Sequence, residues 1–124
     1  MTILCIDDDC DDQEIFKDCL ALIDPSIKLL VALTADEAFE VLKHNTPDYI
    51  FLDDGMPKMT GRDFLAELKD QREKIDIPII VCSTELSSYA RRDYEQLNLV
   101  QKFLRKPNTF DGLYEAIREI IKKK

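Results

Sequence analysis

The chain has 124 residues, 45% of them hydrophobic and 34% charged, with a formal net charge of -8. That length suits one compact domain with a proper core, and the acidic balance speaks against binding nucleic acid, whose backbone is held by Lys and Arg. No apolar run reaches membrane-spanning length, and Met1-Thr2 leads straight into a strand with no signal peptide, so a cytoplasmic location is expected.

Ile3-Leu4-Cys5-Ile6 is the first apolar run, and it ends in the acidic cluster Asp7-Asp8-Asp9. A helix follows, with Ile15, Phe16, Cys19, Leu20 and Ile23 on one face. Asp11, Asp12 and Glu14 sit near its N-terminus, where the helix dipole favours negative charge, and Pro25 closes it. Residues 27–33 form the second strand. Thr34 and Glu37 make a capping box for the next helix, whose apolar face is Ala38, Phe39, Val41 and Leu42. His44-Asn45 ends it, and Thr46-Pro47 forbids continuation.

Tyr49-Ile50-Phe51-Leu52 is an apolar run closed by Asp53-Asp54-Gly55, then Pro57 and Gly61. It reads as a buried parallel strand running out into a loop. Phe64, Leu65 and Leu68 carry a helix that enters a charged segment, residues 69–74. Pro78 opens the fourth strand, Ile79 to Cys82, which ends in Ser83-Thr84. Leu86, Tyr89, Ala90, Tyr94 and Leu97 mark a helix of less regular spacing. A short fifth strand, residues 102–105, ends at Lys106-Pro107. Asn108 is expected to cap a last helix with Phe110, Leu113, Ile117, Ile120 and Ile121 as its buried stripe. None of the four cysteines pairs as CxxC, so zinc is not expected and the thiols read as reduced structural groups.

Five βα units with short connections imply a parallel sheet covered on both faces. Right-handed crossovers bring the carboxyl ends of the strands to one edge, where ligands of open α/β sheets bind. That edge collects Asp7, Asp8, Asp53, Ser83 and Lys106. Three carboxylates packed together cannot all stay ionised without a cation, and Mg²⁺ suits an all-oxygen site that phosphate completes. The Gly55 carbonyl can add an oxygen, Ser83 a hydroxyl and Lys106 a mobile positive charge. A carboxylate nucleophile, a metal and two donors make a phosphoryl-transfer site.

The whole chain resembles the CheY-like receiver domains of two-component response regulators. The residues that carry the resemblance are Asp7-Asp8 after the first strand, Asp53-x-x-Met56-Pro57-x-x-x-Gly61 after the third, Ser83 ending the fourth and Lys106-Pro107 ending the fifth. The resemblance implies a flavodoxin-like (βα)5 fold, doubly wound, with strand order 2-1-3-4-5, and residues 1–124 as one receiver domain without an output domain. It implies that Asp53 takes a phosphoryl group from a phosphohistidine of a sensor histidine kinase or histidine phosphotransfer protein. Asp8, Asp53 and the Gly55 carbonyl would bind Mg²⁺ directly, with Asp7 acting through water, while Lys106 and Ser83 hold the phosphoryl oxygens. Phe103 occupies the switch position, and the output surface toward a downstream protein is residues 86–124.

The chain departs from the family pattern in places. Phe103 lacks the hydroxyl of the frequent Tyr, and it reads either as a switch ring or as ordinary core. Asn98 to Gln101 replace the usual Gly-Ala pair. Gly55 has no side chain to steer water, a part that Glu85 is the candidate to take. Asp9 and Asp54 read as solvated loop acids, Asp11 and Asp12 as dipole partners, His44 as a helix-end residue and Arg91-Arg92 as a solvated face. Two other functions compete: a pseudo-receiver that only binds protein, and a Mg²⁺-dependent phosphatase with an aspartyl nucleophile. The first would lack part of the acceptor set, and the second wants an acid two residues past the nucleophile, where Gly55 stands.

Overall fold

Strands that are apolar at every position need cover on both faces. The computed structural model, which describes residues 1–56, 58–71, 76–85 and 87–122, provides it. Among the described residues, five strands alternate with five helices: β1 (Thr2–Ile6), α1 (Cys10–Ile23), β2 (Lys28–Ala32), α2 (Ala35–His44), β3 (Tyr49–Asp53), α3 (Gly61–Gln71), β4 (Ile79–Ser83), α4 (Ser88–Leu97), β5 (Val100–Arg105) and α5 (Phe110–Lys122). Every strand pair is parallel, and the order across the sheet is β2-β1-β3-β4-β5, as expected.

The period of two along a strand divides the interior into two layers. Leu4, Ile6, Ile50, Leu52, Ile79 and Val81 pack with Ala38 and Leu42 of α2, Phe64 and Leu68 of α3, and Tyr94 of α4. Ile3, Cys5, Tyr49, Phe51, Ile80 and Cys82 pack with Phe16, Cys19 and Leu20 of α1 and with Ile117 and Ile121 of α5. The three central strands are thereby sealed on both sides, and their polar neighbours are pushed to the ends.

Several boundaries differ from expectation for local reasons. β5 begins at Val100, two residues early, because Ile79 pairs with Val100 and Ile80 with Lys102, which leaves Gln101 as an extra residue in a bulge. β2 is trimmed to Lys28–Ala32, the stretch that β1 can pair along Thr2–Ile6. α1 is capped by Asp9, whose side chain accepts from the N–H groups of Asp11 and Asp12, so Asp9 is not merely a solvated loop acid. The last helix is capped by Thr109 rather than Asn108, with the Gly112 N–H donating to Thr109 Oγ1 at 3.0 Å. Thr34 does cap α2, accepting from the Glu37 N–H at 3.1 Å. The expectations for Pro57, Leu86, the 72–74 part of the charged segment and the basic side chains of 122–124 lie outside the described residues.

Cys5, Cys19 and Cys82 are buried, Cys10 is exposed, and all four are free. Burial pushes the Cys19 thiol up to about 11 and the Cys82 thiol up to about 12, which makes both poor nucleophiles. Among the described residues, no helix is long and apolar enough to cross a membrane.

Candidate functional site

β1, β3, β4 and β5 each lead into polar side chains at the carboxyl edge. Asp7 follows β1 and is still tied to the sheet, its N–H donating to the Ala32 carbonyl at 3.0 Å. Its Oδ1 accepts from the Asp9 N–H at 3.0 Å, so the turn into α1 holds the carboxylate in place. Gln13, buried on α1, pins the same corner: its Nε2 lies 3.1 Å from the carbonyls of Cys5 and Asp7 and 3.3 Å from that of Ala32. Asp53 is the last residue of β3, level with Cys82 on β4. Lys106 follows β5, and its N–H donates to the Ser83 carbonyl at 2.8 Å.

The side chains converge. Carboxylate oxygens of Asp7, Asp8 and Asp53 all lie within 4.8 Å of one another. Lys106 Nζ donates to Asp53 Oδ1 at 3.0 Å, to Asp7 Oδ2 at 3.1 Å and to Asp12 Oδ2 at 3.3 Å. These are not loose surface pairs: the side chains of Lys106, Asp53 and Asp7 are 21%, 12% and 8% exposed. Burial alone would lower the Lys106 pKa, but hydrogen bonding and charge from Asp53 and Asp7 outweigh it and hold the ammonium above the ordinary lysine value. Burial raises the Asp7 carboxyl, against the pull of the Asp9 N–H and of Lys106.

One ammonium faces four carboxylates, so the cluster keeps an excess of negative charge in a partly desolvated place. An all-oxygen donor set of this compactness fits a hard dication such as Mg²⁺. Gly55 stands beside it: a Cβ there would lie 3.9 Å from Asp53 Oδ2, an ordinary contact. Glycine is therefore not sterically required at that position, and what it can offer the site is its backbone.

Asp7, Asp8, Asp53 and Lys106 thus meet as their order along the chain implies. Ser83 reaches the same edge but is otherwise engaged: its hydroxyl donates to the Glu85 carbonyl at 2.9 Å and accepts from the Glu85 N–H at 3.2 Å. Phe103 is half-buried, edge-on to Tyr94 with ring centroids 5.9 Å apart. The Arg91 guanidinium lies 4.6 Å over the Phe103 ring, so Arg91 is not simply a solvated charge.

Sequence reasoning missed three participants. Asp12 joins the Lys106 cluster because the first turn of α1 rises directly from the β1 end. Gln13 had no signal beyond its place in that turn. Asp54 is half-buried rather than a free loop acid: it accepts a hydrogen bond from the hydroxyl of Tyr94, which is 1% exposed. Burial and that carboxylate keep the phenol protonated far above its usual range. An open cavity of about 280 Å³ lies beside the cluster, bounded by Ile15, Phe16, Leu104 and Phe110 and reaching Asp53 and Lys106.

Known proteins share this fold. A family model for the response regulator receiver domain matches residues 3–118. A two-component response regulator from Legionella pneumophila superposes with a TM-score of 0.84 at 27% identity, over 100% of this chain and 99% of that one. The phosphorylated cyanobacterial phytochrome response regulator RcpA gives a TM-score of 0.85 at 25% identity, over 96% of this chain and 89% of that one. The sensor histidine kinase CheAY of Helicobacter pylori is 29% identical over 122 residues, which are 97% of this chain and 15% of the kinase. This chain spans half or less of the length of several curated relatives that it matches.

Proposed function

The chain belongs to the response regulator receiver domain family, and from that premise we propose that Asp53 is the residue that accepts the phosphoryl group. The donor is a phosphohistidine on a sensor histidine kinase or a histidine phosphotransfer protein. A carboxylate oxygen of Asp53 attacks phosphorus. The P–O bond forms as the P–N bond to the donor imidazole breaks, and the electron pair returns to nitrogen, which takes a proton from solvent.

The observation that carries this reading is the position of Lys106, within 3.0 Å of Asp53 and 3.1 Å of Asp7, in a cluster where Asp7, Asp8 and Asp53 converge. Swinging the ammonium from Asp7 and Asp12 onto a phosphoryl oxygen needs only rotation of a flexible stem. Ser83 becomes a second donor once its hydroxyl leaves Glu85. Asp7, Asp8 and Asp53, with the Gly55 carbonyl, are the residues to hold Mg²⁺, which would offset the charge gathering on the phosphoryl oxygens. Asp7 in addition holds Lys106 in place.

Turnover of a free substrate is not part of the reading, since Gly55 offers no acid or base two residues past the nucleophile. The only chemistry proposed is self-catalysed gain and loss of the phosphoryl group. A pure binding module would need none of these side chains, and their convergence favours the switch. Residues 1–124 act as one receiver unit, in the cytoplasm where such a donor would present its histidine. Signalling passes to a downstream protein through α4, β5 and α5, within residues 86–124, where Tyr89 is 76% exposed.

Incubation with Mg²⁺ and acetyl phosphate, followed by intact-mass measurement, tests this. The expected result is a labile phosphate-sized gain that is absent from Asp53→Ala. No gain, or the same gain in the variant, overturns it.

A further inference from the structure

Asp54 adjoins the proposed acceptor, yet its side chain turns away from the carboxylate cluster. It accepts the hydroxyl of Tyr94 on α4. Its backbone is fixed as well: the Asp54 N–H donates to the Cys82 carbonyl at 3.0 Å, and its carbonyl accepts from the Gly61 N–H at 3.3 Å. Tyr94 is the one buried residue of α4. That helix therefore buries one side chain fully, beside outer ties from the Arg62–Asp93 ion pair and from the Lys69 ammonium to the Leu97 carbonyl, and the tip of the buried side chain is bonded to the residue next to Asp53.

Gly61 makes the bond possible, since a Cβ there would stand 2.6 Å from Tyr94 Oη. A hydroxyl on a carboxylate is a strong bond, and the phenol oxygen is held in place by the Arg62 backbone N–H, which donates to it. Beyond Tyr94 the contacts continue outward through the Phe103 ring, 5.9 Å away, to the Arg91 guanidinium above it.

Ser83 tells which arrangement this bond belongs to. Its hydroxyl has one proton and gives it to the Glu85 carbonyl at 2.9 Å, so here it cannot also donate to a phosphoryl oxygen on Asp53. The Tyr94–Asp54 bond thus coexists with an open clamp.

Resting on the phosphoacceptor reading above, we propose that the Tyr94–Asp54 hydrogen bond is a latch between the acceptor loop and α4: it favours the open-clamp arrangement, opposes phosphorylation of Asp53 and is released by it. Tyr94 is a positioning residue that acts through Asp54. Linkage makes the effect reciprocal. Cutting the latch must tighten the binding of anything that prefers the closed clamp, and filling the site must free α4.

The test is calorimetric binding of beryllofluoride with Mg²⁺ to the full chain, in a cycle of native protein, Tyr94→Phe, Asp54→Ala and the double variant. Tyr94→Phe keeps the ring and its packing on Phe103. It is expected to bind about fivefold more tightly than native protein, and to add much less than that to Asp54→Ala, where the bond to Asp54 is already gone and only the Arg62 N–H contact remains to lose. A merely structural role would lower the unfolding temperature without moving that affinity. A second measurement uses native protein alone: trypsin should cut after Arg91 and Arg92 faster once beryllofluoride and Mg²⁺ are added. Unchanged or weaker binding by Tyr94→Phe, the same tightening in the Asp54→Ala background, or unaltered cleavage overturns the latch alone. Failure of native protein to take up beryllofluoride overturns the phosphoacceptor reading and the latch together.

Discussion

Lys106 satisfies three carboxylates at once, and its loss would leave Asp7 and Asp53 facing each other partly out of water. Lys106→Met should cost roughly 1–3 kcal/mol of stability in metal-free buffer, because unpaired buried charge is expensive. The same variant should bind Mg²⁺ more tightly, since the ammonium no longer competes for the oxygens, and yet gain less phosphate from acetyl phosphate. Urea unfolding and Mg²⁺ calorimetry check the two signs; looser Mg²⁺ binding would contradict the competition. Asp53, Asp7, Asp8 and Lys106 were legible in the sequence because each stands at a strand end, where an apolar run stops. Asp54 and Tyr94 were not, because a carboxylate in a loop and a tyrosine on a helix signal nothing until the fold sets one against the other. Asp12 does sit in the first turn of α1, where the helix dipole favours it, but its second partner went unseen for a similar reason: Lys106 is 94 positions away along the chain.

At the scale of elements, the glycines separate two kinds of requirement. Gly61 opens α3 under Tyr94 Oη and the Asp53 carbonyl, to which a Cβ would come within 2.6 and 3.0 Å. Gly61→Ala should therefore destabilise by about 1–3 kcal/mol, the usual cost of forcing atoms into a filled place. Among the described residues, Gly55→Ala meets nothing closer than 3.9 Å and should change stability by less than about 0.5 kcal/mol. Thermal unfolding of the pair decides whether steric need or backbone freedom sets each residue. Asp9→Ala should cost about 1 kcal/mol by uncapping α1. The order of elements was readable from alternating apolar runs and caps, but the bulge at Gln101 was not: a register shift depends on how β4 and β5 meet, which no local pattern encodes.

For the molecule as a whole, the acidic balance and the cluster at one edge make folding sensitive to divalent cations. Mg²⁺ at a hundred times its Kd should add about 2.7 kcal/mol and raise the unfolding temperature by several degrees. Asp8 is exposed, so Asp8→Asn should fold normally and lose most of that rise; an equal rise in the variant would place the ion elsewhere. The doubly covered sheet was foreseeable from strands without a polar face. The unequal grip on its helices was not, since it depends on which residues find partners across the layers. α1 carries four buried residues and α3 four, whereas α4 carries Tyr94 alone. Local opening costs least where least is buried. Backbone amides of α4 should consequently trade their protons for deuterium well before those of α1 or α3, at a rate set by brief detachment of that one helix rather than by unfolding of the domain.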